Sequence, residues 1–390
     1  ADGLLQALSG APAFPEAWFV VAVESGAGWF RFKVIGTLVA LLACTGDPGD
    51  SLDSGTPPEE DWSPIGTGDG SPGSVGWTYV IGADEKLDDP RDLGFDADGN
   101  LWVANRKDDR TFIVFDPGTE DQEHDRRKDG YAEHFMEETA ALSFDGGVQF
   151  ASCGESDNTY NDRAKGNGYM GPVLWSTDLD IFGVEDPMGL GSHLDMSHES
   201  PFCVGIAHEV DNAYWVFDGE HGALSRHDFA EDHGVGMDEH FDHVVHQLTE
   251  PAVERVEEAP GHLVVDHASR RLYAADTGGG RVLWVNIDSG EAGEKQRTND
   301  RGVVDVLWEN AEWGVVAEGL DQPGALAMYE DRLLVGEWGS GTIKEFTTGG
   351  ELLRELDTGF GEGKLYGIEV GPDGLLWVID NATGVYRVEP

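Results

Sequence analysis

Apolar and polar positions follow one repeating pattern from residue 90 to the last residue of the chain. Each copy has a strand-like segment of alternating apolar residues, a tight turn, an aromatic-rich segment ending in a polar residue, a glycine-containing turn and a third strand-like segment. Six copies begin at Pro90, Thr139, Cys203, Pro260, Pro323 and Tyr366. The pattern predicts repeated units of three or four short strands, with no long helix outside the N-terminal region.

A unit of this size cannot cover its own apolar faces, so neighbouring units must stack on one another. Six stacked units that close into a ring form an all-β fold, the six-bladed β-propeller. The last copy ends at Pro390 after its third strand, and an extra strand-like segment, residues 77–81, precedes the first copy. We therefore predict that this N-terminal strand completes the last blade and removes two exposed sheet edges.

The first part of the chain has a different composition. A short basic segment at residues 31–33 precedes the apolar run 34–43, which is too short to span a bilayer and suits a signal peptide. The sequence then reads Leu-Ala-Cys at residues 42–44, which resembles a bacterial lipobox, and this resemblance implies lipidation of Cys44. A buried apolar segment is the alternative for 34–43, and residues 1–28 are interpreted as lying upstream of the genuine signal.

Three segments follow from this organisation. Residues 1–43 are predicted to be an upstream segment plus the signal peptide, and residues 44–74, rich in Gly, Pro, Ser and Asp, a flexible tether. Residues 75–390 are predicted to form the propeller. The plan predicts an exported cell-envelope lipoprotein at the outer membrane or facing the periplasm, held to the membrane by its lipid alone.

Charge narrows the class of partner. The chain has 25 Lys and Arg against 75 Asp and Glu, a formal net charge of -50. A field of this sign repels phosphate backbones, so nucleic acid is excluded as a partner. An acidic, solvated surface is the simpler interpretation and cation storage the alternative. We expect a monomer whose partner is a small molecule, a glycan or an envelope protein.

The residue that ends the second strand of a copy is usually acidic or an amide. Such a side chain can accept hydrogen bonds from the amides of the following turn, so a structural cap is the preferred explanation. These residues are Asn105, Asp218, Asp276, Glu337 and Asp380.

The copies resemble NHL repeats, which build six-bladed propellers. The segment LYAADTGGGRVLWVNID from Leu272 is the best match, whereas LLVGEWGSGTIKEFT from Leu333 and LWVIDNATGVYRVEP from Leu376 match less well. The resemblance covers about four-fifths of the chain. It implies the fold and leaves the activity open, because propellers serve as enzymes, receptors and scaffolds.

Two of the three cysteines remain after Cys44 is assigned to lipid. Cys153 ends the second strand of one copy and Cys203 begins the next copy. Neighbouring blades and an oxidising compartment would allow a disulfide between them. Two buried free thiols are the alternative.

One face of the predicted ring, the mouth face, carries the loops before each first strand and the turns after each second strand. A ligand site is expected there because polar side chains from different blades converge. The long segment after Gly154 is predicted to cover such a ligand. The candidate ligand-binding residues are Asp92, Arg106, Tyr160, Arg163, Trp338 and Tyr366.

Histidines near the mouth raise the hypothesis of a divalent metal such as zinc, copper or calcium. The candidate ligands are His262, His198, His221 and Asp92. Peptidyl-hydroxyglycine amidating lyases and gluconolactonase-like enzymes are similar propellers with a central metal ion. In this sequence only His262 and Asp92 fall near the metal-binding positions of those enzymes. Hydrogen-bonded histidines without a metal are the alternative.

A second group of Asp and His residues lies at 232–246, after the third strand of the third copy. It lacks the ligand order of an EF-hand loop, so a cation site and a solvated acidic hairpin both remain open.

No phosphate-binding loop, Gly-x-Ser-x-Gly elbow or His-Glu-x-x-His motif occurs in the sequence. The leading hypothesis is therefore an exported binding module at the cell envelope. The alternative is a metal-dependent lyase or hydrolase with its ion near the channel mouth.

Overall fold

The structure is a computed structural model that describes residues 62–157, 170–184, 189–238, 240–298 and 304–390. It is an all-β chain whose six small sheets form a ring, a six-bladed β-propeller, as the repeats predicted. Cys44, Tyr160 and Arg163 lie outside the described residues. No helix within the described ranges is long and apolar enough to cross a membrane.

The strands follow one another blade by blade. The first described strand is β1 (Gly76–Gly82). Blade one contains β2 (Pro90–Phe95), β3 (Leu101–Asn105), β4 (Arg110–Phe115) and β5 (Glu123–Arg127). Blade two contains β6 (Thr139–Phe144), β7 (Gln149–Gly154), β8 (Val173–Ser176) and β9 (Asp195–Met196). Blade three contains β10 (Ile206–Val210), β11 (Ala213–Asp218), β12 (Ala223–Asp228) and β13 (Val244–Leu248).

The remaining blades repeat this order with one insertion. Blade four contains β14 (Leu263–Asp266), β15 (Arg271–Asp276), β16 (Arg281–Asn286) and β19 (Trp313–Glu318). Between β16 and β19 the chain forms two further strands, β17 (Glu291–Thr298) and β18 (Val304–Glu309), which join the sheet of blade three. Blade five contains β20 (Pro323–Tyr329), β21 (Arg332–Glu337), β22 (Thr342–Thr347) and β23 (Leu352–Asp357). Blade six contains β24 (Leu365–Val370), β25 (Leu376–Asp380) and β26 (Gly384–Glu389).

In the part of the chain that the structure describes, helical structure is confined to short turns. Helix α1 (Ala132–Phe135) lies between blades one and two, and three 3-10 turns span Pro72–Ser74, Ala83–Glu85 and Arg106–Asp108.

The ring closes through its N-terminal strand. Strand β1 pairs antiparallel with β26, and Trp77 lies opposite Val388. Because β1 supplies the fourth strand of blade six, the predicted closure is confirmed.

The second strands of the blades explain the aromatic-rich segments of the sequence. Every residue of β3, β11 and β25 is buried, since each of these strands lies in the middle of a sheet covered on both faces by neighbouring blades. The outer strand β5 reads Glu-His-Asp-Arg-Arg and is partly solvated. The core lies between blades. Phe112 and Val103 of blade one, for example, pack with Trp377 and Ile379 of blade six.

Three of the polar residues at the ends of second strands cap the turn that follows, as predicted: Asp218, Asp276 and Asp380. Asn105 and Glu337 instead accept a backbone N–H from the segment before the first strand of their blade, from Asp88 and Asp321. Asp276 Oδ1 accepts hydrogen bonds from the backbone N–H of Gly279 at 3.2 Å and of Glu254 at 2.7 Å. Asp380 Oδ1 accepts one from the N–H of Ala382 at 3.0 Å. These carboxylates therefore serve local structure.

The described chain packs on the propeller upstream of β1. Ser63 and Ile65 are buried, and Ser63 Oγ donates a hydrogen bond of 2.6 Å to Glu345 Oε2 in β22. Residues 62–74, which the sequence assigned to the tether, therefore belong to the ordered domain.

One strand pairing was not anticipated from the repeats. Strand β18, inserted within blade four, pairs in parallel with β13, the outer strand of blade three, with Val245 opposite Asp305 and Leu248 opposite Trp308. Blade three thereby becomes a six-stranded sheet, β10-β11-β12-β13-β18-β17. The chain of blade four thus supplies two strands to the outer edge of blade three.

Candidate functional site

A channel of about 310 Å³ runs through the centre of the ring. The first strands of all six blades line it, because the innermost strand of each radial sheet faces the axis. Each first strand contributes one aliphatic residue at the same register, and together these form an apolar belt. The belt residues are Leu93, Leu142, Ile206, Leu263, Leu326 and Ile368.

A buried acid–imidazole pair lies one residue before the belt. Asp92 and His262 are 6% and 4% exposed, and His262 Nδ1 lies 3.5 Å from Asp92 Oδ1. The carboxylate also accepts the N–H of Leu93 and of Leu142, each at 2.8 Å, so it joins blades one and two. Burial raises the pKa of Asp92, and the neighbouring imidazole opposes that rise. His262 Nε2 is buried without a hydrogen-bond partner, so it remains available to a ligand.

A second carboxyl group lies one residue beyond the belt. Glu369 in β24 lines the channel. Partial burial in the channel, reinforced by the negative charge of Asp92, raises the pKa of Glu369 to about 8. Near neutral pH this side chain is therefore largely protonated, and a cation in the channel would favour its ionised form.

The mouth end of the channel is covered by the segment before blade four. The carbonyl oxygen of Glu258 accepts hydrogen bonds from Arg91 Nη1 at 2.6 Å and from Tyr366 Oη at 2.9 Å. Its N–H donates to Glu155 Oε1 at 2.8 Å, and Arg255 also pairs with Glu155. Residues from blades one, two and six thus hold one segment across the mouth.

The opposite end of the channel is more accessible. The first strands become more exposed toward their C-terminal ends: His208 and Glu369 are partly exposed and His267 is exposed, whereas Asp92 and His262 are buried. The rings of His208 and His267 lie 6.2 Å apart at this rim. A ligand would therefore reach the channel from the face opposite the mouth.

Three of the predicted mouth residues, Arg106, Trp338 and Tyr366, are engaged in contacts around the covering segment. Arg106 forms ion pairs with Glu138 at 2.9 Å and with Glu258 at 3.6 Å. The guanidinium of Arg91 stacks on the ring of Tyr366 at 4.7 Å, and Trp338 meets the same ring edge-on at 6.4 Å. These side chains hold the covering segment in place and lie on the closed side of the channel.

The four predicted metal ligands occupy three separate neighbourhoods. Asp92 and His262 come together in the channel, as their shared register predicted. His198 is buried between the rings of His134 and His240, at 5.8 and 5.3 Å. His221 Nδ1 lies 2.8 Å from Asp218 Oδ2 at the turn after β11.

The surroundings of His221 include a buried chain of polar groups. His227 Nδ1 lies 2.7 Å from Ser197 Oγ, and its Nε2 lies 3.0 Å from Ser200 Oγ, which donates to Asp218 Oδ2 at 3.0 Å. Burial lowers the pKa of His227 to about 3, so the imidazole is neutral. In a catalytic triad the carboxylate contacts the imidazole, whereas here Asp218 contacts Ser200. Both serines are also fully buried. The arrangement therefore stabilises the loop.

The two remaining cysteines are bonded to each other. Cys153 at the end of β7 and Cys203 before β10 form a disulfide with a Cα–Cα distance of 5.7 Å. Both are buried, so within the core the bond joins the second strand of blade two to the segment that enters blade three.

Glu369 is the channel residue that the sequence reasoning missed. Its register is fixed by the pairing of Ile368 with Val378, which corresponds to Leu263 with Ala274 and Leu326 with Val335 in other blades. At the next position the other copies have Gly94, Ser143, Ala207, Val264 and Ala327. A single acidic residue among small or apolar ones was the signal that could have identified it.

Comparison with known proteins supports the architecture. No protein-family model and no curated protein sequence matches the chain. Among solved structures, a protein from Bacteroides thetaiotaomicron is 10% identical, with 84% of this chain and 75% of that chain covered and a TM-score of 0.50. Virginiamycin B lyase from Staphylococcus aureus is 12% identical over 81% of this chain and 99% of that chain, with a TM-score of 0.45. A chain of the nidogen/laminin complex is 14% identical over 73% of this chain and 85% of that chain, with a TM-score of 0.49. At these identities the likeness concerns the fold alone.

Proposed function

We propose that this propeller is a binding module whose central channel takes a small molecule with an apolar body and a positively charged end. The observation that carries the proposal is the channel itself, which is covered at the mouth and contains an aliphatic belt between two carboxyl groups. A channel of about 310 Å³ suits a small ligand rather than a protein segment.

The charge of the channel supports a cationic ligand. Asp92 and Glu369 lie on either side of the belt, and none of the described residues that line the channel is Lys or Arg. The formal net charge of -50 would attract cations toward the protein and repel anions. An ammonium group could therefore lie against a carboxylate while its alkyl chain contacts the belt.

The test uses n-butylamine as the probe and calorimetric titration of the full chain. Since the pKa of Glu369 is raised to about 8, the carboxyl group loses its proton between about pH 7 and about pH 9, whereas an alkylammonium remains charged. We expect the affinity for the amine to rise by about tenfold over this interval, because ionised Glu369 is the form that attracts the cation.

Variants and matched probes distinguish the ionisation of Glu369 from that of the other ionisable groups in the channel. The remaining ionisable side chains that line the channel are Asp92, His208, His262 and His267. We expect Glu369→Gln to abolish the pH dependence and n-butanol to bind without it. Equal pH dependence in wild type and Glu369→Gln, or preference for n-butyrate over the amine, would contradict the proposal.

A metal-dependent lyase or hydrolase is the second candidate, and the unpartnered His262 Nε2 is the observation in its favour. Within the described residues, however, the channel brings no three His, Cys, Asp or Glu donors together at ligand distance. Elemental analysis of the purified chain separates the two candidates. A stoichiometric transition metal that is lost on His262→Ala would favour the enzyme, and retention of amine binding without that metal would favour the binding module.

We further propose that the chain is exported and anchored at the cell envelope through a lipid on Cys44. The support is the lipobox-like sequence before Cys44 and the buried Cys153–Cys203 disulfide, which is typical of oxidising compartments. Expression of Cys44→Ala should release the protein from the membrane fraction while its disulfide remains intact. Retention of this variant in the membrane fraction would contradict lipid anchoring.

A further inference from the structure

A group of metal-ligating side chains lies where the long loop of blade three meets blade two, away from the channel. Asp195 belongs to β9, the outer strand of blade two. His233 and Asp242 belong to the loop between β12 and β13 of blade three. The loop therefore brings donors from two blades together.

The three side chains are close enough to share one ion. One donor atom from each of Asp195, His233 and Asp242 lies within 4.8 Å of the other two. Donors around a tetrahedral zinc ion lie about 2.1 Å from the metal and therefore about 3.4 Å from one another. A loop movement on the order of 1 Å would bring these donors to that spacing, and His233 Nε2 and Asp242 Oδ1, now 2.8 Å apart, would move slightly apart to bind the ion.

Asp195 provides an independent indication of a ligand. Its side chain is fully buried, and its Oδ2 atom has no hydrogen-bond partner. Buried carboxylate oxygens are costly to leave unpaired, and a cation would satisfy this one. The other oxygen, Oδ1, lies 2.9 Å from His240 Nδ1, so a neighbouring imidazole fixes the orientation of the carboxylate, as residues around metal ligands commonly do.

We propose that Asp195, His233 and Asp242 bind a zinc-type divalent transition-metal ion, with His240 as the positioning residue. One imidazole and two carboxylates form a donor set suited to zinc, with water completing the coordination. His233 and Asp242 are partly solvent-accessible, which gives the ion a route from solvent. The bound ion would fasten the loop of blade three to the outer strand of blade two.

Zinc sulfate is the probe, and the full chain is first dialysed against a chelator. We expect calorimetric titration to show one zinc ion bound at this position per chain, and a rise in the thermal unfolding midpoint on zinc addition. His233→Ala and Asp242→Asn should each weaken zinc binding by at least about tenfold, because each loses a ligand. Asp238→Asn, an exposed carboxylate in the same loop, is the matched control and should bind zinc as the wild type does.

Two further measurements distinguish the loss of a zinc ligand from unfolding and from zinc binding in the channel. The unfolding midpoint of each metal-free variant shows whether the fold is intact, and Asp242→Asn serves if His233→Ala fails to fold. His262 lies in the channel, so zinc binding that survives in His262→Ala does not depend on the channel, and its loss in His233→Ala and Asp242→Asn assigns it to the Asp195 site. Unchanged zinc affinity in both His233→Ala and Asp242→Asn, or the absence of stoichiometric binding to the wild type, would overturn the proposal.

Discussion

The double variant Cys153→Ala, Cys203→Ala is expected to lose about 4 kcal/mol of unfolding free energy relative to the oxidised wild type. The bond closes a chain segment with a sequence separation of 50 residues. Without it, the unfolded ensemble regains the freedom of that segment, and the cost of ordering it on folding rises. Urea denaturation followed by tryptophan fluorescence measures the difference.

Reductant provides the matched control for this prediction. Dithiothreitol should lower the urea midpoint of the wild type toward that of the double variant and leave the double variant unchanged. An unchanged midpoint in the double variant would mean that β7 and the segment before β10 are held together without the covalent bond.

Glu345→Ala is the second substitution with a large expected effect, a loss of about 3 kcal/mol. The carboxylate is fully buried and accepts hydrogen bonds from Arg332 Nη1 at 2.8 Å and from Ser63 Oγ at 2.6 Å. Arg354 Nε lies 3.1 Å from its other side. Removal of the carboxylate leaves two adjacent guanidinium groups, each less than 20% exposed, without their shared counter-charge.

Two measurements check this expectation. Thermal unfolding of Ser63→Ala, which removes a single hydrogen bond, should show a loss of about 1 kcal/mol and provides the scale. Hydrogen exchange should show faster exchange at residues 62–66 in Glu345→Ala, since Ser63 loses its bond to blade five. Equal stability of Glu345→Ala and Ser63→Ala would show that the arginines find other counter-charges.

The fold was accessible from sequence because the same constraint acts six times. Each copy must alternate apolar residues along its first strand and bury its second strand from both faces, so one misread copy leaves the architecture intact. The sequence also showed one strand too many before Pro90 and one strand too few after β26, and this predicted how the ring closes. The hairpin of β17 and β18 could not be predicted from the repeats, because nothing in the sequence pattern of residues 291–309 indicates that they pair with a neighbouring blade.

Only part of the candidate site could be predicted from the sequence, because some of its contacts join residues that are far apart along the chain. A shared register placed Asp92 and His262 at one level of the channel, and the structure brings them within 3.5 Å. Register along a strand cannot reveal which end of a channel is covered, since that depends on the long-range contacts of Glu258 with Arg91 and Tyr366. The meeting of Asp195 with His233 and Asp242 is also a long-range contact, formed by an outer strand and a loop of the next blade.

The pairing of β13 with β18 has a consequence for how this ring could be rearranged. In a propeller whose blades touch through side chains alone, new chain ends can be introduced between any two blades by circular permutation, and single blades can be duplicated or lost. Here the chain of blade four supplies β17 and β18 to the outer edge of blade three, so separating the two blades would leave β13 and β18 without their partners. Genetic rearrangement of this ring should therefore treat blades three and four as one indivisible unit.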